Sequence, residues 1–118
     1  MCITIRIEGQ KDMEQKKNAH CALTSVIENE LDILQRHIQV LNVLTEQQPL
    51  GIIKLSECTG YPQHMVRYSL RILEQERLIE PSSRGAITTE ATARVLEELK
   101  KALRVIGSTA DDLRNLIQ

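Results

Sequence analysis

The stretch "LSECTGYPQHMVRYSLRILEQERLIEP", residues 55–81, decides how the rest of the chain is read. A short apolar segment ends at Thr59-Gly60-Tyr61-Pro62, and a second segment with helical periodicity follows at once. Glycine reaches the left-handed backbone that ends helices, and proline suits the first helical position, where its missing N–H has no partner to lose. The pattern predicts a short helix over 53–58, a turn at Gly60 and a second helix over 62–76. On the second helix Val66, Leu70 and Leu73 recur at helical spacing and form the inward face. Opposite them fall His64, Arg67, Tyr68 and Arg71, while Glu74 and Glu76 come only in the last turn. Arginine and histidine are donors suited to phosphate oxygens and base edges, and a tyrosine ring packs on sugar or a thymine methyl.

Upstream, the segment 30–47 has two apolar sides. Leu31, Leu34, Ile38 and Leu41 lie on one, and Ile33, Val40, Val43 and Leu44 lie nearly opposite. A helix apolar on both sides is buried between two layers. Asn29 with Asp32 reads as a helix restart, or one helix continues through it from the segment that begins near Lys11. "QQPLG" breaks the chain before the short helix. Downstream, "LIEPSSRGAITTE" predicts a hairpin, with Leu78-Ile79 as one strand, 81–85 as the loop and 86–88 as the return. Thr89 caps a long helix with Glu90 in its first turn. Gly107 is expected to interrupt that helix, with Ser108 and Asp111 forming a new cap. At the N-terminus Ile3, Ile5 and Ile7 alternate with polar residues and predict a short strand ending at Gly9.

This order of elements, with the residues "IIKLSECTGYPQHMVRYSLRILEQERLIE" and "RGAITTEA", resembles winged helix-turn-helix transcription regulators of the MarR, ArsR and archaeal types. The resemblance covers roughly residues 30–106. It implies a mostly α fold: a DNA-binding unit over 30–89, an N-terminal extension over 1–29 and C-terminal dimerisation helices over 90–118. Leu55 matches the buried residue of the supporting helix, Gly60 the turn glycine, and Arg84 the wing tip. Pro62 departs from the usual Ser or Thr cap, and the wing is short with one basic residue. By this resemblance the residues facing double-stranded DNA are Gln63, His64, Arg67, Tyr68 and Arg71 from the recognition helix, with Lys54 and Arg84 beside it. Winged helices also serve as protein-binding modules, and such a module within a transcription or chromosome-maintenance assembly is the competing reading.

The bulk numbers set bounds on both readings. A formal net charge of -1 excludes indiscriminate coating of nucleic acid but leaves room for one cationic face. With 42% hydrophobic residues in 118, one packed domain forms, and its core is aliphatic because Phe and Trp are absent. The apolar stripe of the last helix (Val95, Leu96, Leu99, Leu103, Ile106), the Leu23–Ile27 face and the two-sided helix exceed what so small a core covers. Each buried aliphatic side chain contributes roughly 1.5–3 kcal/mol, so a homodimer through the terminal helices is expected. Cys2, Cys21 and Cys58 are odd in number and widely spaced, which predicts no disulfide framework and an intracellular, reducing setting. The N-terminal "MCITIRIEGQ" reads as neither signal peptide nor membrane span, so a soluble cytoplasmic protein with no membrane partner is expected.

His20, Cys21, Cys2 and His37 lack the tight pairs of a metal centre, and no metal or other cofactor is assigned. Metal or redox sensing would add to the regulatory reading rather than replace it, and no small-molecule effector is identified. No catalytic residue is assigned either: there is no Ser-His-Asp arrangement, glycine-rich phosphate loop or HExxH, and the protein is not expected to be an enzyme.

Overall fold

The computed structural model describes residues 21–118. The strand expected at Ile3, Ile5 and Ile7, the beginning of the helix expected near Lys11, and both Cys2 and His20 lie outside the described residues. After a single 3-10 turn at Ala22–Thr24, helix α1 runs Ser25–Gln47. It passes through Asn29 without restarting, since no Pro or Gly breaks it there. Its start is marked instead by Thr24, whose hydroxyl bonds the Glu28 carboxylate. Val40, Leu41, Val43 and Leu44 are buried, whereas Leu31, near the N-terminal end of the helix, is 42% exposed.

Gln48 and Pro49 turn the chain into a single extended residue, Leu50, whose N–H and C=O both pair with Ala86 (3.2 and 2.8 Å). Helix α2, Ile52–Thr59, ends on Gly60, which holds the left-handed conformation (φ 83°) and donates its N–H to the Ser56 carbonyl. The turn is held twice more: the Thr59 hydroxyl donates to the Leu55 carbonyl at 2.7 Å, and the Ser56 hydroxyl donates to the Tyr61 carbonyl at 2.6 Å. Helix α3 then covers Gln63–Gln75, with Pro62 just ahead of it in an extended conformation rather than inside its first turn.

Strands β1, Ile79–Ser82, and β2, Gly85–Thr88, pair antiparallel around Ser83 and Arg84. Pro81 and Ser82 therefore belong to the strand and not to the loop expected from the sequence. Because Leu50 flanks β2, β1 is an edge, where proline's missing donor leaves no ladder bond unmade.

Helix α4, Ala91–Leu116, continues unbroken through Gly107, so the expected interruption and new cap at Ser108 do not occur. A mid-helix glycine costs about 1 kcal/mol relative to alanine, too little to end a helix with intact bonds on both sides. Thr89 does act at its start: its hydroxyl oxygen accepts the Ala91 N–H at 3.3 Å, and its own N–H donates to the Thr92 hydroxyl at 3.1 Å. The Thr92 hydroxyl in turn donates to the Leu78 carbonyl at 2.7 Å, which ties the helix to the hairpin.

The core gathers Val40, Leu44, Leu55 and Val66, all fully buried, with Leu73 and Ile79 closing it. Cys58 is buried among them and disulfide-bonded, against the expectation that the cysteines stay unpaired. Spacing along the chain says little about proximity once the chain folds. The result is a mostly helical protein with a small two-stranded antiparallel sheet, an arrangement compatible with helices followed by a wing. Among the described residues no helix is long and apolar enough to cross a membrane.

Candidate nucleic-acid interface

Helix α3 is sorted as its sequence predicts. Val66, Ser69 and Leu73 are buried against α1 and α2, while Gln63, His64, Arg67, Tyr68 and Arg71 are exposed. The face is cationic over its first two turns because Glu74 and Glu76 sit only at the end. Neither Arg67 nor Arg71 forms a salt bridge among the described residues, although Glu74 lies within reach along the helix in sequence. Those two guanidinium groups flank a cleft of about 600 Å³ walled by Ile52 at the start of α2 and by Leu70.

The remaining predicted residues scatter around this helix. Arg84 stands exposed at the hairpin tip, where the Ser82 hydroxyl accepts its backbone N–H at 3.3 Å. Lys54 is exposed on α2 and partly committed to Glu57 at 4.0 Å, a surface pair that contributes little. Tyr68 has a role beyond that predicted. Its ring lies beside α1, with the Arg36 guanidinium carbon 5.6 Å from its centroid and the His37 ring 6.1 Å away. Tyr68 nonetheless remains 45% exposed.

Arg36 and Ser69 are the residues that reading the sequence missed. The Arg36 Nε–H donates to the Ser69 hydroxyl oxygen at 2.8 Å, and His37 Nδ1 lies 2.8 Å from the same oxygen. Ser69 has one proton to give, so the arrangement that satisfies all three groups has Ser69 donating to a neutral His37. Burial, and then the neighbouring Arg36 charge, hold the His37 pKa below its ordinary value. The signal for this cluster was present as a serine placed among aliphatics on the inward face of α3, which requires a buried polar partner. Its partners could not be read from spacing, because they lie more than thirty residues upstream.

Arg36 is 7% exposed and carries a charge in the layer between α1 and α3. Its hydrogen bond and ring contact offset the desolvation of that charge. The cluster thus fixes the rotation of α3 about its own axis, which determines where Arg67 and Arg71 point. Compared with models of known protein families and with curated proteins, the chain finds no match.

Proposed function

We propose that the protein is a winged helix-turn-helix regulator that binds double-stranded DNA as a homodimer, with α3 entering the major groove. The observation that carries this reading is the pair of exposed guanidinium groups, Arg67 and Arg71, free of carboxylate partners among the described residues on a helix whose other side is locked into the core. A major groove admits one α-helix with its N-terminal residues at the base edges, which brings Gln63 and His64 to the bases first. Arg84 would meet the backbone or the minor groove from the hairpin tip, and Lys54 a phosphate from α2. The order of the helices, the left-handed turn at Gly60 and the Leu50 pairing onto β2 support the winged-helix assignment.

The test is selection of bound sequences from a random DNA pool, followed by titration at several salt concentrations. Twofold-related half-sites about 34–36 Å apart, or a multiple of that, are expected. Arg71→Ala should lose about 1–3 kcal/mol of specific affinity if Arg71 reads a base. If it holds a phosphate, the loss is uniform across sequences and the salt slope falls by about one unit. Unchanged affinity in both Arg67→Ala and Arg71→Ala removes this docking. Absence of any salt-sensitive binding turns the reading to a winged-helix module that binds protein.

A further inference from the structure

The outward face of α3 offers donors and almost no acceptors. Its exposed side chains between Gln63 and Arg71 are Gln63, His64, Arg67, Tyr68 and Arg71, and none of them is a carboxylate. Successive helical residues turn by about 100°. Arg71 therefore lies almost directly across the helix from the buried Val66 and Leu73, and Arg67 stands about 40° to one side of it. Tyr68 stands on the other side, beside Arg36 and His37 of α1. A side chain opposite the core reaches deepest into a groove that receives the helix, while phosphates line the groove's walls.

The two guanidinium groups share one cleft with Glu74, yet neither forms a salt bridge with it or with any other carboxylate among the described residues. A guanidinium is a planar fork of N–H donors with no acceptor. In the major groove guanine alone presents two adjacent acceptors, N7 and O6. Adenine and thymine present one acceptor each, and cytosine presents a donor. A bare fork can therefore use two donors at once only on guanine. Spacing adds a second constraint. Four residues of helix advance by about 6 Å, and bases follow one another about 3.4 Å apart along a strand. The two forks thus reach bases about two steps apart when the helix lies along the groove.

We propose that Arg67 and Arg71 each read a guanine, so that every half-site holds two G·C pairs with one base pair between them. The inference rests on the DNA reading above and deepens it by naming the bases. Either strand can supply each guanine, because the edges of both strands face the same groove. The face holds no carboxylate to accept from cytosine, since Glu74 and Glu76 come only at the end of the helix. The packing behind the face supports a fixed readout: with Val66, Ser69 and Leu73 buried, the helix presents the same two forks to every site.

Selection of sites from a random DNA pool with the full wild-type chain, followed by titration of the selected duplex, tests the proposal. The selected half-sites should share two G·C pairs at this spacing. Replacing either pair by A·T should weaken wild-type binding roughly 5- to 150-fold. Arg67→Ala should become indifferent to one of these replacements and stay sensitive to the other, and Arg71→Ala should show the reverse. Placing 7-deazaguanine, which lacks the N7 acceptor, at either position should also weaken the wild type, a readout that needs no variant to fold. Selected sites without this pair of guanines, or losses that both variants feel equally at both positions, overturn the assignment and leave DNA binding in place. Salt-sensitive binding with no preferred sequence overturns it as well. A chain that binds no DNA at all defeats the regulatory reading and the assignment together.

Discussion

Ser69 is small, fully buried and shared between two α1 side chains, and this combination makes one residue couple two helices. Its single proton serves His37 only while the imidazole is neutral. A protonated ring would turn a second donor toward an oxygen that already accepts from Arg36, and would stand beside a cation. The folded protein therefore resists protonating His37, while the unfolded chain does so near the ordinary value of 6.5. As pH falls below that value, the unfolded state takes up the proton first, and stability declines until the lowered folded-state value is passed. Urea unfolding at pH 7.5 and pH 5.5 should show a lower midpoint at the acid end, and His37→Gln should reduce the difference. An identical pH dependence in the variant would assign the slope to other groups.

At the scale of elements, the hairpin is registered against the α1–α2 connection by one glycine. Gly85 has φ 130°, and a side-chain carbon built on it would stand 2.4 Å from the Leu50 carbonyl carbon. Neither the conformation nor the space admits alanine. Gly85→Ala should lower stability by roughly 2 kcal/mol or more, measured by chemical unfolding. Under the proposed docking on DNA, it should also weaken binding by displacing Arg84 at the hairpin tip. Gly107 is the opposite case: nothing lies within 4 Å of the position a side-chain carbon would take, and the backbone is helical. Gly107→Ala should stabilise α4 by about 0.5–1 kcal/mol through the unfolded state. The same residue type is thus a requirement at one position and a dispensable weakness at the other.

For the whole molecule, the distribution of apolar surface is uneven. The core between α1, α2, α3 and the hairpin is closed, while α4 and the first turns of α1 carry most of the exposed large aliphatic residues. The extents of 56 × 27 × 21 Å describe a compact head with a projecting arm. If the arm is completed by a second copy, its stability depends on concentration, since association stabilises the folded state by mass action. The melting temperature should rise with protein concentration for the wild type, and Leu113→Glu should abolish that rise. A melting temperature independent of concentration in both would mean that the arm is stable alone.

The order of helices, the turn at Gly60, the inward aliphatics of α3 and its outward arginines were all legible from the sequence. They depend on local chemistry: helical periodicity, glycine's access to left-handed backbone, and the segregation of charge along one short segment. The boundaries misread from the sequence, at Pro81 and Ser108, are places where a weak local stop signal met a continuing hydrogen-bond ladder, and the same ladder settles the alternative left open at Asn29 in favour of one continuous helix. Only the tertiary structure decided that Arg36 and His37 converge on Ser69, that Leu50 crosses to β2, and that the Gln39 side-chain oxygen is buried without a hydrogen-bond partner. Those contacts join residues far apart in the chain, and no local pattern carries the distance between two segments once they fold.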